Sequence, residues 1–296
     1  MKRVAFGCLY ALGGWLLSAV AIVLGLRYGY GLGFPQTLGI AAMAGLLAWI
    51  ALALLFAALR SLREWWALRA ALAGRVPADG AGAVIVGTLQ AQGELLQAPF
   101  DAGECIAYHY RVIHDSGAGQ RHRTISTLFD GVGLAPCTIA SAAGYFRLLT
   151  VPELDAESTA SGAVGEAAVQ HYVRTTTFLD RRQAADELLQ RWDDADGSYR
   201  SDVGRIAPQD VDWARCSYAL HVLRAHTQVC VFGYFCAERR ALVPPPAWAG
   251  ATRIYRGSGE QIAVRLRKSA WFRLCLGLAV GAGAGALLFA FISHHV

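Results

Sequence analysis

Five side chains between residues 216 and 236 carry soft metal-ligating atoms: Cys216, His221, His226, Cys230 and Cys236. Thiolates and imidazoles in a tetrahedral set would hold zinc. The intervening gaps of four, four, three and five residues match no zinc-site spacing. Side chains on two adjacent strands also alternate between faces, so metal binding is not expected. A thiol nucleophile is the next candidate chemistry. Cys105 and His109 share a face of one expected strand, but residues i and i+4 there lie roughly 13 Å apart. A base for Cys105 would have to come from another strand, such as His122 or His221. The carboxylates Asp180, Asp186, Glu187, Asp193, Asp194 and Asp196 read as a solvated helix face and its end. Setting Gly197 at the glycine of an EF-hand loop puts Trp192 and Val203 where the first Asp and the last Glu belong. No catalytic, cofactor-binding or metal-binding residue is assigned.

The elements that would position such residues are divided between lipid and water. A mean hydropathy of +0.35 with 17% charged residues is wrong for a water-soluble chain of 296 residues. Three stretches account for it: Val4 to Leu26, Thr37 to Leu59 and Trp271 to Ile292, all without Asp or Glu. Each is long enough, at about 1.5 Å per residue, to cross a hydrocarbon core of roughly 30 Å. Met1-Lys2-Arg3 could begin a signal peptide. The first apolar run is longer than an h-region, however, and leads through the Gly-rich turn Arg27 to Pro35 into the second span, so a helical hairpin is expected instead.

Orientation follows from the basic residues. Arg60, Arg63, Arg69 and Arg75 follow the second span, and Arg265, Arg267 and Lys268 precede the third, while the first loop holds only Arg27 and the tail has neither Lys nor Arg. This bias places the N-terminus and the region between spans two and three in the cytoplasm, with the C-terminus outside. Arg60, Arg63, Arg69, Arg265, Arg267, Lys268 and Arg273 are expected at the membrane surface, against anionic headgroups. Trp65, Trp66 and Trp271 would anchor at the interface. Gly277, Gly281 and Gly285 recur every four residues, which puts them on one face of the third helix for close packing against another span. The basic clusters sit beside the spans, leaving no basic stripe for nucleic acid.

Between spans two and three lies a single soluble domain. Alternation and turn residues predict strands at Ala83 to Leu89, Cys105 to Ile113, Arg123 to Phe129, Thr138 to Ala140, Tyr145 to Val151, Arg215 to Leu223, Gln228 to Phe235 and near Arg253 to Tyr255. Asp180 is placed to cap a helix from Arg181 to Trp192, and Ala156 to Ala168 reads as a flexible loop. Five cysteines in the domain, an odd number, suit a reducing compartment. The fold class is therefore an α+β membrane protein: three transmembrane helices, with a sheet or small barrel plus helix inserted between the second and third. The expected segments are residues 1–36, 37–74, 75–267 and 268–296.

Several short runs resemble the GIDE domain of the mitochondrial-type E3 ubiquitin ligases and their prokaryotic relatives. They are Val86-Gly87-Thr88; Ala98-Pro99-Phe100 with Gly103; Cys105-Ile106-Ala107-Tyr108-His109-Tyr110; and Thr227-Gln228-Val229-Cys230-Val231-Phe232-Gly233. Ile254 through Arg267 is similar to the family's closing helix and membrane exit. The resemblance covers roughly residues 75 to 293 and implies a β-rich domain bracketed by membrane helices. Ligases of the family also carry a zinc-binding RING, which needs closely paired Cys and His; this sequence has no C-x-x-C. The expected function is accordingly a non-catalytic, protein-binding or scaffolding module, with a ligase-like member whose RING is supplied in trans, or a hydrolase, as the alternative. Abundant alanine and the excess of arginine over lysine fit a GC-rich bacterial genome, and so an inner-membrane location. The partner protein and oligomeric state are left open.

Overall fold

A computed structural model describes residues 2–30, 34–100, 102–115, 125–154, 165–180, 183, 198–246 and 251–295. Four helices are named here: α1 (Lys2–Tyr30), α2 (Phe34–Leu72), α3 (Glu166–Thr175) and α4 (Gly259–His295). The chain forms two compact units, residues 1–66 with 263–296, and residues 67–262.

The first unit is helical. Long runs of Ala and Leu without internal proline make α1, α2 and α4 continuous, and Pro35 sits in the first turn of α2, where its missing N–H has no intrahelical role. Two helices are long and apolar enough to cross a membrane, over Leu38–Leu72 and Gly259–His294. Of the three expected spans these are two; of the first, the part of α1 whose side chains are described is the shorter apolar helix Gly13–Tyr28.

Of the glycines expected on one packing face of α4, Gly277 and Gly281 lie against α2 and Gly285 does not. Among the residues buried along α4, Ala263, Ala270, Gly277 and Ala284 are spaced by seven, and among those buried along α2, Ala44, Ala51 and Ala58 recur at the same interval. A seven-residue repeat of small side chains is the seam of two helices in close, coiled-coil-like contact. A Cβ on Gly277 would lie 3.2 Å from the Leu54 side chain, and one on Gly281 3.6 Å from Ala51. Gly285 is exposed and meets nothing within 4 Å. Helix α1 also packs closely against α2, where a Cβ on Gly45 would come within 2.8 Å of the Ala19 backbone. The Trp15 indole donates to the Ala42 carbonyl at 3.0 Å beside it.

The second unit is β-rich. Five strands close a ring: β1 (Ala81–Ala91), β6 (Cys137–Ser141), β7 (Gly144–Leu148), β12 (Ala241–Val243) and β11 (Gln228–Cys236), the last pairing back onto β1. All neighbours are antiparallel except β7 and β12. This is a small Greek-key barrel of the OB type, a topology that by itself assigns no ligand. Closure depends on Gly87, the residue at which β1 passes from β11 to β6. A Cβ there would collide with the Ala140 carbonyl group. Ile85, Leu89, Ile139, Phe146, Val229, Val231 and Leu242 belong to the barrel core. Two short strands, β8 (Glu153–Leu154) and β13 (Arg253–Arg256), extend the sheet beyond β11.

The loop between β1 and β6 carries a hairpin, β2 (Leu96–Gln97) and β3 (Glu104–Cys105), followed by β4 (Ala107–Asp115) and β5 (Ile125–Leu134). The loop between β7 and β11 carries α3, β9 (Tyr199–Gly204) and β10 (Cys216–Leu223). The two insertions meet as an antiparallel sheet of order β10-β4-β5-β9. Its core includes Val169 and Val173 of α3. Gly165 and residues 166–168, expected in a flexible loop, are instead the N-cap and first turn of α3; residues 156–164 of that loop, and the expected helix from 181 to 192 apart from Gln183, lie outside the described residues. Asp180 and Gln183 themselves are described. Asp180 Oδ1 accepts the Gln183 N–H at 2.9 Å and Gln183 Oε1 accepts the Asp180 N–H at 3.2 Å, the reciprocal pair of a capping box.

Candidate functional site

Alternation along β4 sends Tyr108, Tyr110 and Val112 to the face shared with α3, and His109 and Arg111 to the other. Opposite the two tyrosines, β5 presents Gly131 to Tyr110 and Gly133 to Tyr108. Any Cβ at either glycine would enter the phenol ring. The next strand, β9, places Asp202 opposite Gly131 and Arg200 opposite Gly133. A bare strand of β5 thus lies between two tyrosines and the charged pair, and the rings reach across it.

Asp202 is the hub. It is 5% exposed, and its Oδ1 accepts the Tyr110 hydroxyl at 2.7 Å and the Tyr172 hydroxyl at 3.2 Å. Arg200 Nε donates to Oδ2 at 2.8 Å, and Arg200 Nη2 donates to the Tyr172 hydroxyl at 2.7 Å. Phe100 packs edge-on to both Tyr110 and Tyr172, at 5.2 and 5.3 Å between ring centres. It does so from a turn where its own φ is +62°, a left-handed conformation uncommon outside glycine. The Tyr108 hydroxyl is buried in the same layer with no hydrogen-bond partner among the described residues.

Electrostatics keep the three phenols and the guanidinium of this cluster protonated. Burial first, then the Asp202 charge, drives the Tyr108, Tyr110 and Tyr172 phenols above their ordinary range, so they stay neutral donors. Burial opposes the Arg200 charge, but hydrogen bonding and attraction to Asp202 outweigh it and hold the guanidinium protonated. A carboxylate holding three donors, with phenols that do not ionise, is suited to fixing α3 and β9 onto the sheet. It is poorly suited to moving a proton.

On the opposite face, His109 Nε2 lies 2.9 Å from Asp130 Oδ1, and Arg111 Nε donates to the same oxygen at 3.4 Å. His221 lies beside His109, 6.3 Å between ring centres. Burial pushes the Asp130 carboxyl up, but the His109 hydrogen bond and charge, with Arg111, more than reverse this and hold it below its ordinary range. The folded pKa is depressed, so the contribution to stability is complete above about pH 4 and disappears as pH falls through the lower folded value. Asp130 is 47% exposed, so screening keeps that contribution under about 1 kcal/mol. Thermal unfolding of wild type and Asp130→Asn, compared from about pH 6 to about pH 3, should show a small wild-type advantage that shrinks toward the acid end. A gap that is undiminished or wider at low pH would remove His109 and Arg111 as its cause.

The five soft ligands considered from sequence are not brought together. Cys216 and His221 point to opposite faces of β10; His226 is in the following turn at φ +60°; Cys230 and Cys236 are on the barrel strand β11. Among the described residues no three His, Cys, Asp or Glu side chains form a metal-ligating group. The pairing of Cys105 with His109 on one strand is corrected: Cys105 ends β3, and His109 belongs to β4. Burial pushes the Cys105 thiol up to about 11 against the pull of Arg224, and the Cys137 and Cys230 thiols up to about 12. All three are protonated at neutral pH and so are poor nucleophiles. Of the residues expected at the membrane surface, Arg60 pairs with Glu64 at 3.3 Å, and Arg273 donates to the buried Ser61 hydroxyl at 2.8 Å.

Asp202, Arg200 and Tyr172 did not emerge from the sequence. The signal that would have exposed them is the match of Tyr108-His109-Tyr110 with Gly131-Val132-Gly133, two rings and two notches at the same spacing. Searches against models of protein families, curated proteins and solved structures find no match to this chain.

Proposed function

We propose that the chain is a membrane-anchored module whose β-rich domain binds another protein without catalysing a reaction. The observation that carries this reading is the commitment of the reactive residues to one another: Asp202 holds three donors, and the phenols and buried thiols stay protonated. The binding surface is the free edge of β10. This strand, Cys216 to Leu223, pairs with β4 alone among the named strands and contains no proline, lysine, arginine or carboxylate. Edge strands exposed to solvent are ordinarily protected by such residues. An uncharged edge instead suits an extended segment of a partner added as a further strand.

The resemblance to the GIDE domain belongs to the same proposal. Two of the runs that carry it are neighbours in the barrel, with Val86 opposite Cys230 and Gly87 opposite Val229. The basic flanks of α2 and α4 favour the domain in the cytoplasm, and the abundance of alanine and of arginine over lysine favours a bacterial inner membrane. One experiment tests both halves: native membranes carrying a photo-reactive residue at the exposed Ser217 and a compartment reporter after Val296. The expected result is a discrete protein adduct at Ser217, absent with the probe at Tyr145 on the barrel and abolished by Ala219→Lys, with the reporter active outside. Adducts indifferent to probe position and to Ala219→Lys would overturn the edge assignment; a reporter active inside would overturn the orientation.

A further inference from the structure

The face of the four-stranded sheet turned away from α3 carries two imidazoles from distant parts of the chain. Alternation sends His109 of β4 and His221 of β10 to this face, and the register sets them directly opposite each other. Their row continues through Val132 of β5 to Ser201 of β9, and the next row holds Ala219, Arg111, Asp130 and Val203. Side chains directly opposite in antiparallel strands have Cβ atoms about 4.5 to 5.5 Å apart, close enough to share a ligand. The two rings lie 6.3 Å apart between centres, inclined at 45°.

Bond lengths decide whether that separation is within reach of one ion. With metal–nitrogen bonds of about 2.0 to 2.1 Å, two imidazoles on a single metal can have ring centres up to roughly 6.4 Å apart, the limit of a straight N–metal–N angle. The observed separation falls just inside it, and closing the rings by about 1 Å bends the angle to tetrahedral. His221, half-buried on the edge strand, is the ring that turns. His109 is the fixed one: its side chain is 14% exposed, and its Nε2 lies 2.9 Å from Asp130 Oδ1. A carboxylate only accepts, so in the neutral ring the proton lies on Nε2 and the lone pair on Nδ1. A carboxylate behind one nitrogen is the usual outer support of a histidine that ligates metal through the other, orienting the ring and raising its basicity. Arg111 donates to the same Asp130 oxygen at 3.4 Å, so its charge is met there.

We propose that His109 and His221 form a two-histidine site for a divalent transition-metal ion of the imidazole-preferring kind, such as zinc, nickel or copper, with Asp130 positioning His109 and water completing the coordination. The protein supplies two ligands, in keeping with the lack of any ligating group of three among the described residues. Of the five soft ligands between residues 216 and 236 the site takes His221 alone, and pairs it with a residue of the other insertion. A bound ion ties the edge strand β10 to β4. The site does not depend on a partner at the β10 edge.

The test titrates Ni²⁺ into the untagged full chain in detergent, carrying His294→Gln and His295→Gln so that the adjacent pair in the tail takes up no metal. Nickel suits imidazole and is not reduced by thiols. Calorimetry should show about one equivalent bound, and the metal should raise the unfolding midpoint. His221→Gln and His109→Gln should each abolish this uptake, Asp130→Ala should weaken it about tenfold or more, and His226→Gln should leave it unchanged. Near-ultraviolet dichroism of each variant reports that its domain is folded. A chain that takes up no Ni²⁺ would overturn the proposal, as would uptake that survives His221→Gln in folded protein. A thiolate-to-nickel charge-transfer band accompanying binding would assign the metal to cysteine and overturn it equally.

Discussion

Replacing Gly131 with alanine is expected to destabilise the domain by about 3 kcal/mol or more. The new methyl group would enter the Tyr110 ring and approach Asp202 Oδ1 to 2.5 Å. Neither neighbour can yield cheaply. Tyr110 is fully buried between Phe100, Tyr108 and Tyr172, and Asp202 is held by three donors. Displacing the ring therefore adds the loss of a buried charge-assisted hydrogen bond to the overpacking itself. Thermal unfolding of the full chain, followed through aromatic near-ultraviolet dichroism, should show a fall of roughly 6 to 12 °C. Gly82→Ala provides the control, because a Cβ there meets nothing within 4 Å. Equal midpoints for the two variants would mean that the rings do not need the bare strand.

The second large effect is expected at Asp202. Asp202→Ala leaves two tyrosine hydroxyls and a half-buried guanidinium without their acceptor, and breaking a buried ionic cluster from one side costs about 3 to 5 kcal/mol. Tyr110→Phe removes a single hydrogen bond and should cost about 1 to 2 kcal/mol. Because both act on one network, the double variant should be less unstable than the sum of the two. Chemical denaturation of all three proteins gives the comparison. An Asp202→Ala cost below about 1 kcal/mol, or strict additivity, would show that the carboxylate is not the hub of the cluster.

The sequence revealed the strands built on apolar runs and concealed those without. β1, β4, β10 and β11 carry alternating or continuous runs of apolar, β-branched and aromatic residues, and each lies within a few residues of where those runs place it. β9 reads Tyr-Arg-Ser-Asp-Val-Gly, and its inward residue at the key position is a carboxylate. Hydrophobic periodicity is blind to a strand whose buried group is polar and satisfied by residues far away in the chain. α3 was hidden for a different reason: its start lies in an Ala, Ser and Gly stretch, and Val169 and Val173 are its buried apolar pair. In α4, a period of four was legible because glycine is conspicuous, whereas the seam of period seven mixes alanine with glycine. Ring closure through the parallel β7–β12 pair has no local signature at all.

That closure also determines when the barrel can exist. β1 pairs Thr88 with Gln228, about 140 residues later, and both large insertions lie between them. At a translation rate of about 5 to 20 residues per second, the ribosome takes roughly 7 to 30 seconds to deliver the partner strand. Throughout that interval the apolar run Ala83-Val84-Ile85-Val86 is an unpaired template for aggregation, on a chain whose preceding helices are already complete. The order β10-β4-β5-β9 has the same property, because β4 and β5 form a local hairpin while both outer strands arrive from the second insertion. A fold with so many distant pairings is a slow folder, and its biogenesis depends on whatever shields the first half of the domain until the second half has been made.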